Sequence, residues 1–172
     1  DLEGELSHFT GLILDITEQK QAEAELQYRV AFENLILSLA TRFINLPSHE
    51  IDNAIYTALQ SIGEFTAVDR SYLFAYSEDY QSLTCTHEWC DSGITPQIQR
   101  LKDIRVDALA WSNHKLLSGD ILHIPSVANL PNEAQSEKEE FQLQGIQSLL
   151  TVPMIYQGNV IGLLGFDAVR SE

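Results

Sequence analysis

The spacing of apolar side chains predicts a long helix near the start of the chain. Residues 17–46 contain neither Gly nor Pro. Apolar side chains in this range recur at spacings of three, four and seven positions, which is typical of a helix with an apolar face. We expect its polar first half to pair with a second copy as a coiled coil, and its second half to pack on its own domain. The apolar positions are Leu26, Val30, Leu37, Ala40 and Ile44.

Short strands and amphipathic helices fill the rest of the chain. Residues 50–65 carry apolar side chains on one helical face and predict a helix. Strands over 69–77 and 82–90 follow as an antiparallel hairpin, and two hydrophobic strands flank a tight turn at 157–159. This order predicts an α+β fold, an antiparallel sheet with helices packed on one side, after the long helix. Between the hairpins the pattern indicates a helix, a strand and a helix, over 107–119, 120–125 and 132–145.

Composition narrows the classes of partner. The chain has 172 residues and a formal net charge of −15, with only ten Lys and Arg. Binding to a nucleic-acid backbone or an anionic membrane requires clustered cations, so we expect no nucleic acid and no membrane contact. No apolar run approaches the roughly 18 residues of a membrane-spanning helix, and we expect a cytoplasmic protein. The first residue is not Met, which indicates a segment of a longer protein.

The stretch CTHEWC, residues 85–90, carries the most reactive side chains. In a regular strand Cys85, His87 and Trp89 share one face, and Glu88 and Cys90 share the other. The cysteines then point apart, so we expect reduced thiols rather than a disulfide. A closed zinc site needs four ligands, and one face offers only a Cys and a His, so no metal is expected. No catalytic residue is predicted, because nothing presents the thiols as nucleophiles and no nucleotide-binding loop occurs.

Residues 11–26, GLILDITEQKQAEAEL, resemble the end of a PAS domain. Many PAS domains close with a strand carrying Gly-x-x-x-Asp-Ile-Thr and continue into a helix rich in Glu, Gln, Lys and Ala. Gly11 and the segment 15–17 match that pattern. The resemblance implies that residues 1–16 are the last strands of a truncated PAS domain and that residues 17–46 are a signalling helix. Asp15 and Thr17 form the signalling-helix junction between them.

Residues 32–168 resemble a GAF domain. HEIDNAIYTALQSIGEFTAVDRSYLF looks like the GAF helix entering the first strand, and GIQSLLTVPMIYQGNVIGLLGFDAV looks like the terminal hairpin. HEWCDSGI and LPNEAQSEKEEFQLQGIQSLL resemble a bacterial subgroup found in sensor histidine kinases and diguanylate cyclases. The resemblance implies a GAF domain over 47–172 with its terminal helix truncated, in a parent protein of one of those two kinds.

The ligand classes of GAF domains leave partial traces in this sequence. Photoreceptor members attach a bilin through a Cys after the middle strand; the matching region contains His114 but no Cys, which argues against bilin attachment. Of a cyclic-nucleotide motif only Asp167 is present. A haem would need an axial His, for which His87 and His123 are candidates. GAF pockets lie between the sheet and the helices and loops in the middle of the domain. The candidates for ligand contact are therefore His87, Trp89, Trp111, His114 and His123. The alternative for both Trp residues is packing in the core.

The resemblances together imply a regulatory sensor module that is not itself an enzyme. We expect a homodimer that binds an unidentified small molecule, or relays a PAS signal through paired helices to an output domain in the same chain. Two alternatives stay open: a ligand-free dimerisation spacer, and a GAF domain holding a tight cofactor such as haem. A methionine-sulfoxide-reducing enzyme of GAF-like type would need more than the two cysteines present.

Overall fold

The structure, a computed structural model, describes residues 16–44 and 46–170. In these ranges the helices are α1 Thr17–Phe43, α2 Ile51–Thr66, α3 Ala110–Leu117 and α4 Gln135–Leu143. The strands are β1 Arg70–Tyr76, β2 Ser82–Cys90, β3 Ile104–Arg105, β4 Leu122–Ile124, β5 Ser148–Tyr156 and β6 Asn159–Ala168. The predicted PAS strands up to residue 15, and the junction residue Asp15, lie outside the described residues.

The long helix α1 begins at the predicted residue, Thr17, and ends at Phe43, three residues before the predicted end. Pro47 accounts for the early end, because the residue before a proline is held out of the helical conformation. No residue of α1 is buried, and Leu26 and Val30 are 61% and 48% exposed. The helix therefore presents apolar side chains on its surface. No described helix is both long and apolar enough to cross a membrane.

The remaining elements form one six-stranded sheet in the order β3-β2-β1-β6-β5-β4. All neighbouring strands are antiparallel. The β5–β6 hairpin turns at Gln157 and Gly158, whose φ angles of 51° and 81° are the positive values that a tight type I′ turn requires. The predicted antiparallel sheet with helices packed against it is confirmed. The two-residue strand β3 was not predicted, because two residues carry no alternation.

A β-bulge in β2 changes which of its residues share a face. The pairing of β1 with β2 skips one residue of β2, Thr86. An extra residue reverses the alternation of side chains beyond it. Cys85 therefore lies on the same face as Glu88 and Cys90, and the prediction that it lies beside Trp89 is wrong.

Helices pack against the sheet as predicted, but they cover both of its faces rather than one side. On one face α2 packs closely, because Gly63 leaves room for the ring of Trp89; a Cβ at Gly63 would lie 2.3 Å from that ring. On the same face the Ser71 hydroxyl donates a hydrogen bond of 2.8 Å to the carbonyl of Leu59 in α2. On the other face α3, α4 and the loops enclose the main core. That core includes Leu83, Leu116, Leu122, Ile124, Val127, Ile146, Leu149, Val160 and Leu163.

Candidate ligand-binding site

A cavity of about 80 Å³ lies between the sheet and helices α3 and α4. Its wall is mainly apolar, and one end is polar. One buried water needs roughly 10–15 Å³, so the cavity is large enough for a small organic molecule. The apolar wall includes Phe74, Leu83, Leu101, Leu116, Phe141 and Leu149, and the polar end includes Arg70, Tyr72, Glu88 and Asp167.

A buried ion pair forms the centre of the polar end. Arg70 of β1 and Asp167 of β6 are each 1% exposed. They are cross-strand partners, and a guanidinium nitrogen of Arg70 lies 3.1 Å from a carboxylate oxygen of Asp167. The same nitrogen lies 3.4 Å from the carbonyl oxygen of Gln144 at the end of α4. The Nε atom of Arg70 has no hydrogen-bond partner among the described residues.

Tyr72 completes this group from β1. Its hydroxyl donates a hydrogen bond of 2.8 Å to Asp167. Burial raises the pKa of the Tyr72 hydroxyl well above its ordinary value, and the neighbouring Asp167 adds to the rise. Burial raises the pKa of Asp167 to about 7, although Arg70 and the Tyr72 hydroxyl act to lower it. Tyr72 therefore stays a hydrogen-bond donor at neutral pH, while Asp167 titrates near neutrality.

Glu88 ties the polar end to the loop that follows β2. Its two carboxylate oxygens accept hydrogen bonds of 2.9–3.0 Å from the backbone N–H groups of Gln97 and Ile98. The loop then continues to Leu101, whose carbonyl accepts a hydrogen bond of 2.8 Å from the backbone N–H of Cys85. Because Leu101 lines the cavity, Glu88 positions part of the cavity wall.

A second buried carboxylate joins the two helices that close the cavity. Glu137 of α4 is 1% exposed. One of its oxygens accepts hydrogen bonds from the backbone N–H and the hydroxyl of Ser112 in α3, at 3.1 and 3.3 Å. The next residue, Asn113, accepts a hydrogen bond of 2.7 Å from the Tyr76 hydroxyl of β1. These bonds fix α3 to both α4 and the sheet.

A second, outer cavity of about 180 Å³ adjoins the first. The two cavities share four lining residues: Leu101, Ile104, Leu109 and Glu140. At their boundary Glu140 of α4 forms a two-bond ion pair with Arg100, at 2.6 and 3.3 Å. Arg100 lies on the loop after β2 and is partly exposed. This ion pair therefore stands between the inner cavity and the surface.

The five residues predicted to contact a ligand lie outside this cavity lining. On the α2 face, Trp89 packs against Gly63, and a ring nitrogen of His87 lies 3.4 Å from a carboxylate oxygen of Asp52. Trp111 packs on the core with Lys115 4.3 Å above its ring, while His114 and His123 are exposed. A ligand role for these five residues stays a prediction.

The cavity residues were missed because no single one of them stands out in the sequence. Arg70 and Asp167 are 97 positions apart, and only the pairing of β1 with β6 brings them together. The available signal was a charged residue inside each of two hydrophobic strands. A charge in such a strand is rarely buried without a partner.

Comparison with known families decides what kind of domain this is. The model of the family described as "GAF domain" matches residues 50–172. The chain belongs to the GAF domain family. GAF domains are regulatory rather than catalytic modules, which agrees with the prediction that this segment is not itself an enzyme.

Relatives of this GAF domain include signalling proteins. The chain is 28% identical over 176 aligned positions to the methanogenesis regulatory histidine kinase FilI of Methanothrix harundinacea (strain 6Ac). The match covers all of this chain and 19% of that protein, so the chain spans about a fifth of the curated relative's length.

Solved structures share the fold at low sequence identity. The phycocyanobilin-bound GAF domain of a cyanobacterial phytochrome has a TM-score of 0.68 at 16% identity, over 81% of both chains. A domain of a putative two-component sensor histidine kinase from Sinorhizobium meliloti 1021 has a TM-score of 0.55 at 18% identity, over 73% of this chain and 78% of that one. The first of these neighbours holds a bilin.

The two cysteines of this GAF domain both lie in β2 and are free thiols. Burial raises the pKa of each thiol to about 12, and the charge of Glu88 adds to the rise. Both thiols are therefore protonated at neutral pH, which makes them poor nucleophiles. Within the described residues no group of three or more His, Cys, Asp or Glu side chains could hold a metal ion.

The raised pKa of Asp167 predicts a pH dependence of stability. The folded state holds the proton up to about pH 7, whereas the unfolded chain releases it near 3.8. Protonation therefore stabilises the fold, and this contribution is full below about pH 4 and is lost as the pH rises through about 7. We expect the free energy of unfolding, measured in urea, to fall by up to about 1.4 kcal/mol per pH unit in this window.

The matched control is Asp167→Asn, which cannot take up the proton. The groups that face Asp167 are Arg70 and Tyr72 from β1 and Glu88 from β2, and all three remain in that variant. Subtracting its pH profile from the wild-type profile isolates the Asp167 contribution. Parallel profiles for the two proteins would show that Asp167 does not titrate in this window.

Proposed function

We propose that this GAF domain is the sensor module of a longer signalling protein and that it binds a small molecule in the inner cavity. The observation that supports this proposal is the cavity itself, which is apolar along its wall and polar at the buried Arg70–Asp167 pair. Such a combination of an apolar wall with a few fixed polar groups is typical of small-molecule sites.

The cavity is well placed to change the domain's shape when it is filled. Its wall is shared between the sheet, α3, α4 and the loop after β2. Gln144 at the end of α4 contacts Arg70, and Glu140 of α4 contacts Arg100 of the loop. A ligand that favours one arrangement of α4 shifts the population of the domain between states, by its difference in affinity for them.

Filling the cavity tests this function. Leu116 of α3 is buried and lines the cavity. We expect Leu116→Phe to occupy part of the space and to reduce retention of the native small molecule by at least about tenfold, or about 1.4 kcal/mol. Native mass spectrometry of the protein after incubation with a small-molecule extract of its native cells measures the retained mass.

The matched control is Val127→Ile, an enlargement at a residue that is buried in the same core but does not line the cavity. We expect this variant to retain the small molecule as the wild type does, with the free energy of unfolding lowered by about 1–3 kcal/mol, the usual cost of one extra methylene in a packed core. Equal retention by Leu116→Phe and the wild type would place the ligand elsewhere. No retained mass in any of the three would favour the ligand-free spacer.

We further propose that α1 relays the signal as a dimer of two helices side by side, as the sequence predicted. The exposure of Leu26 and Val30 supports this function, because paired helices would bury both side chains. Together with Leu37 and Ile44 they follow a heptad spacing in the sequence. The PAS domain before residue 17, the division of domains at 46 and 47, the downstream histidine kinase or diguanylate cyclase, and the cytoplasmic location belong to the same proposal.

A charge in the helix seam should weaken this dimer. We expect Leu26→Asp to raise the dimer dissociation constant at least about tenfold, because a carboxylate would be buried between the helices. Analytical ultracentrifugation measures the constant. The control is Gln21→Asp, which adds the same charge on the helix face opposite the seam and leaves Leu26 in place. Equal weakening by both variants, or none by either, contradicts the relay.

A further inference from the structure

Arg70, at the polar end of the inner cavity, carries an unused hydrogen-bond donor. Arg70 lines the cavity and is 1% exposed. Its terminal nitrogen contacts Asp167 and the carbonyl of Gln144, but its Nε has no partner among the described residues. Burying a donor without an acceptor is unfavourable, so a ligand that supplies an acceptor gains affinity at this atom.

The charges around Arg70 decide what kind of acceptor fits. Two carboxylates of the polar end, Glu88 and Asp167, stand against the single guanidinium of Arg70. Both carboxylate oxygens of Glu88 accept hydrogen bonds from the backbone N–H groups of Gln97 and Ile98. Burial and the charge of Glu88 both raise the pKa of Asp167, which shows that further negative charge is disfavoured here.

The charges and the unused Nε donor together disfavour two classes of ligand. An anion would bring further negative charge close to the carboxyl groups of Glu88 and Asp167, where like-charge contacts are costly. A cation would place a positive charge beside Arg70 and would leave Nε without an acceptor. A neutral group with an oxygen acceptor, such as a carbonyl, satisfies Nε without changing the charge balance.

The size and wall of the cavity describe the rest of the molecule. The inner cavity is about 80 Å³, and its wall is mostly Leu, Ile and Phe. An apolar cavity of roughly 150 Å³ holds a benzene-sized molecule, so the inner space takes a smaller apolar body. A longer tail would extend into the adjoining outer cavity, which shares Leu101 and Leu109 with the inner one.

We propose that the inner cavity binds a neutral carbonyl compound with a small apolar body, whose oxygen accepts a hydrogen bond from Arg70 Nε. This inference rests on the proposed ligand-binding function and names the chemical class of its ligand. The ion pair with Asp167 then fixes the orientation of the Arg70 guanidinium and, with it, the direction of the Nε–H bond.

Three probes of equal non-hydrogen atom count separate the classes: butanone is neutral with a carbonyl, propionate is an anion and sec-butylamine is a cation. Each is titrated into the labelled protein, and the N–H resonances are followed by NMR, including that of Arg70 Nε. We expect butanone to bind in the millimolar range, at least about tenfold tighter than the other two, and to shift the Arg70 Nε–H resonance. We expect Leu116→Phe to abolish that shift.

The Arg70 Nε–H resonance is assigned through the side chain by triple-resonance spectra and by its loss in Arg70→Lys. If that variant fails to fold, the wild-type spectra alone decide. Propionate or sec-butylamine binding as tightly as butanone would overturn the carbonyl class, while binding that Leu116→Phe blocks would still support the ligand site. Butanone binding without a shift at Arg70 Nε would overturn the role of this donor. Failure of all three probes to bind, with no retained native ligand, would overturn both proposals.

Discussion

Replacing Asp167 by alanine is expected to lower the free energy of unfolding by about 3–5 kcal/mol. The substitution leaves the guanidinium of Arg70, which is 1% exposed, without its buried counter-ion. An arginine side chain cannot become neutral by losing its proton, because the pKa of a guanidinium lies far above the pH at which proteins are studied. The Tyr72 hydroxyl also loses its acceptor. Urea unfolding at neutral pH measures the change.

The opposite substitution, Arg70→Met, should cost less. The stranded carboxyl of Asp167 can neutralise itself by taking up a proton, and burial already raises its pKa to about 7. We expect the double variant Arg70→Met with Asp167→Leu to recover much of the loss, because apolar side chains of similar volume replace a buried pair at little cost.

The matched control for this prediction is Arg105→Ala, which breaks an ion pair with Asp107 on the surface. Solvent screens that pair, so little change in stability is expected. If Asp167→Ala and Arg70→Met changed the free energy of unfolding as little as this control does, the buried pair would not hold β1 to β6. A double variant less stable than either single one would contradict the charge argument.

The regular strands and helices could be predicted because each carries its own local pattern. β2, for example, was placed at residues 82–90, and the structure has Ser82–Cys90. The β5–β6 turn was also placed correctly, since Gly158 accepts the positive φ that a two-residue turn needs. The ends of helices α2 and α3 lie within three residues of the predicted ranges, 50–65 and 107–119. These features depend on neighbours in sequence.

The site could not be predicted, because it depends on register. One bulged residue, Thr86, moves Cys85 to the cavity face, and no local pattern marks a bulge of this kind. Trp89, a candidate for ligand contact with core packing as its alternative, packs against α2, where Gly63 leaves space for its ring. The cavity wall is made by aliphatic side chains that read in the sequence as ordinary core.

The second large effect is expected at Gly165 of β6. A Cβ at this position would lie 2.1–2.6 Å from two ring carbons and the hydroxyl oxygen of Tyr72, far inside contact distance. The ring must therefore move, and its hydroxyl moves away from Asp167, to which it now donates at 2.8 Å. We expect Gly165→Ala to lower the free energy of unfolding by about 1–3 kcal/mol, although alanine alone would favour a strand over glycine. Urea unfolding measures this change.

A double-variant cycle separates crowding from other effects of the substitution. Tyr72→Val removes the ring, so Gly165→Ala made in that background should cost little, and the coupling between the two positions should exceed about 1 kcal/mol. Tyr72→Phe keeps the ring and removes only the hydroxyl, so Gly165→Ala should remain costly there. If the cost of Gly165→Ala were the same in all three backgrounds, its origin would be the backbone of β6 rather than the Tyr72 ring. If the crowding is confirmed, Gly165 sets the position of Tyr72 at the polar end of the cavity, and the loss of this one glycine would disturb both the stability of the domain and the geometry of its ligand site.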